Sequence, residues 1–322
     1  MYDLNEPAPA TSTAAPAPGR PRRRWLAALV YLLAGVGVLT LALVAFLYYQ
    51  HAQEAKAPKR VAIDEAAVIE QVMGETYGKY SETNKGWLYV GDENITYVMR
   101  VVQQAKIPDG ADGDELYFVA SGADVAGSSN AVYGVFYVHP KHPYDGTLEQ
   151  RNTQMRYASS VAVRPEQVRF EALSENLWGW VVKTQNGTDP TQGAVTTVNT
   201  VLAPHGDEIA TLGAFLASRE AVPAESCEDA KAAADAFEKA VNEGSDEVEA
   251  VDPPERCDKR RWIYRTATVN GNIPVPITVT LGGLRDGQAV EPRSWKLMFD
   301  PKSFSYNVPD ELHPAPEEAM ID

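Results

Sequence analysis

The runs ITYVMRVV (95–102), ELYFVA (115–120) and AVYGVFYV (131–138) decide the fold. β-Branched and aromatic residues fill them, WLYV (87–90) precedes them, and clusters of Gly, Asp, Asn and Pro separate them. Such residues suit a pleated, half-buried surface, and such separators suit turns. DGADGDE (109–115) reads as a tight hairpin connection between two of the runs. This part of the chain is therefore read as antiparallel sheet.

Upstream of the sheet, Asp64 reads as the N-cap of a helix reaching about Tyr80. Ile69, Val72, Met73, Tyr77 and Tyr80 recur along it at helical spacing, as one buried stripe. Downstream, strands are expected at 167–173, 177–184 and 194–202, and Thr147–Tyr157 reads as a short helix or a loop. Asp207–Arg219 predicts a helix with Ile209, Leu212, Phe215 and Leu216 on one side, and an Ala-rich helix follows from about Cys227 to Val241. The acidic segment 242–256, with Pro253-Pro254, reads as a loop. RWIYRTATV (261–269), the Asn270-Gly271 turn and IPVPITVTL (273–281) predict a hairpin, whose second strand Pro274 and Pro276 assign to a sheet edge. WKLMF (295–299) and FSYNV (304–308) form a last hairpin, and 309–322 reads as a flexible tail. The fold class is α+β, helix plus antiparallel sheet, expected as two modules over 61–205 and 206–308.

Farther upstream, Trp25 to Tyr49 reads WLAALVYLLAGVGVLTLALVAFLYY and holds no charge. Its apolar part, Leu26 to Leu47, spans roughly 33 Å at about 1.5 Å per residue, enough for a hydrocarbon core of about 30 Å. Cleavable signal peptides have apolar regions of only about 7–15 residues. The run is read as an uncleaved signal-anchor, a single transmembrane helix. Arg22, Arg23 and Arg24 stand directly before it, and Trp25 occupies the interfacial position. The basic bias puts the N-terminus in the cytoplasm and exports the C-terminal region. Residues 1–24, rich in Pro and Ala, read as a disordered cytoplasmic tail, and 50–63 as a stalk. The expected location is the bacterial inner (cytoplasmic) membrane. Cys227 and Cys257, the only cysteines, would then lie in an oxidising compartment and form a disulfide.

Residues 1–25 carry a net charge of +2 and the remainder a net −17. So acidic a region is repelled by nucleic acid and by anionic headgroups, which argues against nucleic acid as a partner. Contact with membrane lipid is expected through the one helix. Other membrane or envelope proteins, or further copies of this chain in a homo-oligomer, are the expected protein partners.

Chemical motifs are sparse. The chain has no G-x-S-x-G, S-x-x-K, Walker A loop or H-E-x-x-H, and no catalytic residue, cofactor or metal is assigned. His139-Pro140-Lys141-His142-Pro143 brings two histidines together, but the prolines prevent regular presentation of ligands, and a solvated loop is the reading. Asp109, Asp112, Asp114 and Glu115 have the composition of a calcium loop without its order. Trp178-Gly179-Trp180 on a strand would place both indoles on one side. Core packing is the default for them, and an interaction platform is the sharper reading.

The layout of short tail, single anchor and α+β region resembles, in outline, the inner-membrane scaffold subunits of bacterial secretion and conjugation machines. That resemblance implies a non-enzymatic structural subunit that acts through protein–protein contacts. An exported ligand-binding or sensory module and a cell-envelope hydrolase are the alternatives.

Overall fold

The computed structural model describes residues 22–54, 61–91, 94–108, 110, 112–128, 130–142, 144, 146–153, 156–222, 226–243 and 256–314, without the side chains of 22–28, 50–54 and 156–159. The chain divides into two compact units, Met1–Lys59 and Arg60–Asp322. The expected acidic loop at 242–256 lies largely outside the described residues, as do the tail before Arg22 and the residues after 314.

The first unit contains α1 (Arg22–Glu54). Within it Leu29–Tyr49 is long and apolar enough to cross a membrane, and none of that stretch is buried in the protein. Thr40 is its one hydroxyl outside the tyrosines, and it donates back to the Val36 carbonyl at 2.6 Å, so this hydroxyl needs no partner from outside the helix. A single N-terminal apolar helix of this kind is a membrane anchor or a signal sequence.

The second unit is mostly β. Its first helix, α2 (Glu65–Tyr77), starts where expected, with the Asp64 carboxylate accepting from the Ala67 N–H. It ends at Gly78, whose φ of 96° is open to glycine at no steric cost. Ile69, Val72, Met73 and Tyr77 are buried as a stripe, but Tyr80 lies beyond the helix and is 44 % exposed.

The strands up to the longest hairpin are β1 (Tyr80–Ser81), β2 (Gly86–Val90), β3 (Thr96–Ile107), β4 (Glu115–Asp124), β5 (Ala131–Pro140), β6 (Leu148–Asn152), β7 (Arg156–Ser159), β8 (Val168–Ser174), β9 (Leu177–Asn186), β10 (Val195–His205) and β11 (Glu208–Ala221). After α3 (Cys227–Asn242) come β12 (Asp258–Thr266), β13 (Ile277–Arg285), β14 (Gln288–Ala289), β15 (Arg293–Leu297), β16 (Phe299–Asp300) and β17 (Ser305–Tyr306). Strands β1 to β15 form one sheet, ordered β1-β2-β3-β4-β5-β7-β9-β10-β11-β12-β13-β14, with β6 added to β5, β8 to β9 and β15 to β13. Pairing is antiparallel except at a single β7–β9 bridge.

Three cores stack along this sheet. In the first, α2 packs on one face of β3 to β5 through Met73, Tyr97, Met99, Phe118 and Phe136. In the second, the opposite face of β4 and β5 meets β8 to β11, through Tyr117, Val119, Tyr133, Trp180, Val182 and Leu202. In the third, the far face of β8 to β11 meets the C-terminal strands through Leu173, Val181, Val201, Phe215, Trp262, Ile277 and Tyr306. Central strands are thus buried on both faces.

This double burial explains the largest departure from expectation. Asp207–Arg219 is not a helix but most of β11, paired with β10 across the two-residue turn Gly206-Asp207. Ile209 points into the second core, whereas Leu212, Phe215 and Leu216 belong to the third. Two register shifts, leaving Leu212 and Ala217 as extra residues, break the period-2 pattern further. A bulged strand buried on both sides therefore imitates helical spacing.

Three smaller corrections have similar causes. Thr147–Tyr157 contributes β6 and the first half of β7, because the long edge of β5 accepts a different strand at each end. Pro274 and Pro276 precede β13, which pairs on both sides with β12 and β15 and so is not an edge. Asn270-Gly271 lies in a longer connection, since the last β12–β13 pair is Thr266 with Ile277. The expected module boundary at 205/206 falls in the turn of the β10–β11 hairpin.

Candidate functional site

Strand β9 positions the most chemically distinctive surface. Its residues alternate between faces. Trp178, Trp180 and Val182 face the second core, while Val181 faces the third. Two residues beyond Val181 on the same face stands Lys183, and after it Gln185. On β10 the mirror sequence runs from Val201 to Asn199 and Thr197, which pair with Lys183 and Gln185 respectively. Here the apolar core ends and a polar floor begins.

The walls come from a split in the sheet. Strand β12 pairs with β11 only over Asp258–Arg261, the last pair being Arg261 with Ser218. Beyond that pair β12 leaves β11 and its far end meets β8. The Tyr264 hydroxyl donates to Glu171 Oε1 at 3.2 Å, and the Thr266 hydroxyl to Glu171 Oε2 at 3.4 Å. The Arg169 guanidinium lies over the Tyr264 ring, 5.7 Å from its centre. The result is a trough of about 500 Å³. Val181, Lys183, Gln185, Thr197, Asn199 and Ser218 line its floor, with Arg169 and Glu166 on one side and Arg261 and Tyr264 on the other.

The electrostatics are unusual for so acidic a protein. Elsewhere in the unit several partly buried cations meet carboxylates: Lys106 with Asp114, Arg219 and Arg260 with Asp258, and Arg256 with Asp235, Glu238 and Asp286. Arg169, Lys183 and Arg261 make no ion pair among the described residues. Burial, with Arg169 and Arg261 adding repulsion, holds the Lys183 ammonium below the usual lysine range. Burial, and then the Glu171 charge, push the Tyr264 phenol up, so it remains a neutral donor. Thr197 and Ser218 hydroxyls share a hydrogen bond at 2.7 Å on the floor. The trough thus offers cationic and neutral donors, amides and hydroxyls, and one carboxylate at its lip.

Comparison with protein-family models, with curated proteins and with solved structures finds no match to this chain. The chemistry of the trough is therefore read from its own residues.

The residues singled out from the sequence lie elsewhere. Trp180 is 1 % exposed and Trp178 is half-buried, stacked on Phe170 with ring centres 5.2 Å apart. Both indoles share a face as expected, but that face is the second core, so Trp180 cannot be an interaction platform. His139 is a strand residue stacked on Tyr137, not a loop residue, and its Nε2 lies 4.0 Å from Glu149. No three His, Cys or carboxylate side chains gather as a metal site among the described residues. Asp114 ties down the start of the unit, pairing with Lys106 at 2.7 Å and accepting from the Ile63 N–H; Asp109 lies outside the described residues. The side chains of Arg22, Arg23, Arg24 and Trp25 also lie outside them, although their backbone opens α1. None of the trough cations was legible as a site. The available signal was the change from apolar to polar along one strand face, Val181 to Lys183 to Gln185.

Cys227 and Cys257 form a disulfide that joins the start of α3 to the residue before β12, with Cα atoms 5.1 Å apart. Ser226 caps α3 by accepting from the Asp229 N–H, and Arg256 bridges from the strand side to Asp235 and Glu238 on the helix. The closed loop spans 30 residues. In the chain-entropy picture its opening costs about 3–4 kcal/mol. Urea unfolding of the full chain with and without reductant is expected to differ by that amount. Equal midpoints would show that α3 is held without the bridge.

Proposed function

We propose that this chain is a single-pass membrane-anchored envelope protein that acts by binding, as a structural subunit of a membrane assembly. Its acidic domain makes its contacts on the side of the membrane away from the cytoplasm. One observation carries this reading: the apolar surface of Leu29–Tyr49 is wholly exposed, and only lipid or another apolar helix would cover it in water. Two cysteines within disulfide distance support an oxidising location for the second unit. The basic residues directly before the apolar run from Trp25 support a cytoplasmic N-terminus.

Two measurements test this. Protease added to intact spheroplasts is expected to digest the chain after residue 60, and full protection would overturn the orientation. Purification of the full chain from native membranes in mild detergent is expected to bring several membrane proteins with it. Recovery as a lone monomer counts against a subunit.

A second reading, an exported ligand-binding module, is favoured by the trough. Convergent polar groups within a concave surface of about 500 Å³ match the size of ligand sites in general.

A further inference from the structure

We propose that the trough binds a polyhydroxylated anion, a sugar acid or sugar phosphate, with its carboxylate or phosphate seated on Lys183 between Arg169 and Arg261. This inference rests on the ligand-binding reading and names the ligand class.

The first argument is charge. The domain has carboxylates in excess, and the partly buried Lys106, Arg219, Arg256 and Arg260 are paired with them. Three cations that converge on one floor position with no carboxylate at ion-pair distance among the described residues repel one another. Burial first, and this repulsion second, hold the Lys183 ammonium below the usual lysine range. An oxyanion at this point would relieve it, and charge-assisted hydrogen bonds to a partly desolvated oxyanion are the strong ones. Arg169 is held over the Tyr264 ring, and strand pairing sets the backbone of Arg261 opposite Ser218, while both arginines remain exposed to an incoming ligand.

The second argument is the remainder of the lining. Around Lys183 the floor and walls carry the amides of Gln167, Gln185 and Asn199 and the hydroxyls of Thr197 and Ser218. Amides and hydroxyls both donate and accept, which matches a body rich in hydroxyl groups rather than an apolar one. Asn199 is 2 % exposed and pairs directly with Lys183 across the strands, so this polarity belongs to the sheet and not to a mobile rim. Glu166 at the lip disfavours a second negative charge nearby. That favours a single anionic group on a neutral polar body over a polyanion such as an acidic peptide.

The test uses the full chain in detergent micelles and calorimetric titration. The probes are glucuronic acid, glucose 6-phosphate, glucose, inorganic phosphate, hexaglutamate and a six-unit oligouronate. Glucuronic acid or glucose 6-phosphate is expected to bind, and glucose is not. Lys183→Met is expected to weaken that binding tenfold or more, while its melting temperature without ligand equals or exceeds that of the parent, because an unpaired charge has been removed. Tighter binding of the oligouronate than of its monomer assigns the ligand to a polymer; equal binding assigns it to the free sugar. Failure of every anion to bind overturns the site and the ligand-binding reading together. Preference for hexaglutamate overturns the ligand class alone, as does inorganic phosphate binding as tightly as glucose 6-phosphate. A lower melting temperature for Lys183→Met would make the lysine structural and overturn its assigned role.

Discussion

Replacing Trp180 with alanine is expected to lower the unfolding free energy by about 3–5 kcal/mol, the usual cost of deleting a large aromatic side chain from a close-packed core. Trp180 is 1 % exposed. It pairs with Phe170 on β8 and with Leu202 on β10, and it shares its core with Tyr117 and Tyr133 from β4 and β5. The side chain therefore joins the two stretches of sheet that fold over one another, and its loss would leave a cavity bounded by strands on both sides. Its indole Nε1 is buried without a hydrogen-bond partner among the described residues. An unpaired buried N–H is unfavourable by about 1–3 kcal/mol, so Trp180→Phe should lose less than half as much as the alanine variant. Trp178→Ala, at a half-buried position, is expected to cost about 1–2 kcal/mol. Urea unfolding of the full chain in detergent checks all three. If Trp180→Ala kept its stability and lost binding partners instead, the assignment of this residue to the core would be wrong.

The same strand shows what the sequence made legible and what it did not. The strands β2 to β5 and β8 to β10 were readable because β-branched and aromatic runs stand between turn residues. The start of α2 was readable because Asp64 caps it locally. These features depend on neighbours in sequence. Strand β11 was not readable, because burial on both faces and two bulges erase the alternation that marks a strand. Its turn, Gly206-Asp207, carried the better signal: Gly206 has a φ of 57°, in the region that two-residue hairpins require. The trough was hidden for a different reason. Its cations come from β8, β9 and β12, and they converge only because β12 leaves β11 after Ser218 and crosses to Glu171. No local motif records that path. The cysteine pair was legible because two residues allow only one pairing, and the structure adds that the bridge meets the base of the wall strand.

That base is where the second large effect is expected. Asp258→Asn should destabilise the chain by about 3 kcal/mol, the lower end of the range for removing one partner of a buried ion pair. Asp258 is 4 % exposed at the first residue of β12. Its carboxylate accepts from Arg260 Nε at 2.9 Å through both oxygens and from the Arg260 backbone N–H at 3.1 Å, and Arg219 Nε on β11 lies 3.6 Å away. The asparagine is nearly the same size, so the loss comes from charge and from acceptor capacity rather than from packing. Arg219 and Arg260 keep partial access to water, which is why the lower end of the range applies. The pair is largely shielded, so the difference should persist in about 0.5 M salt, whereas the exposed Arg293–Glu311 contact is worth less than about 1 kcal/mol and is screened there. Asp258 also holds the only stretch over which β12 pairs with β11, and that stretch sets Arg261 opposite Ser218. Loosening it should therefore weaken binding of glucuronic acid or glucose 6-phosphate along with stability, although Asp258 does not line the trough. Unfolding curves and titrations on Asp258→Asn, compared with Glu311→Gln as a surface control, separate this coupling from a general loss of charge. Equal behaviour of the two variants would mean that the Arg219–Asp258–Arg260 cluster does not hold the wall in place.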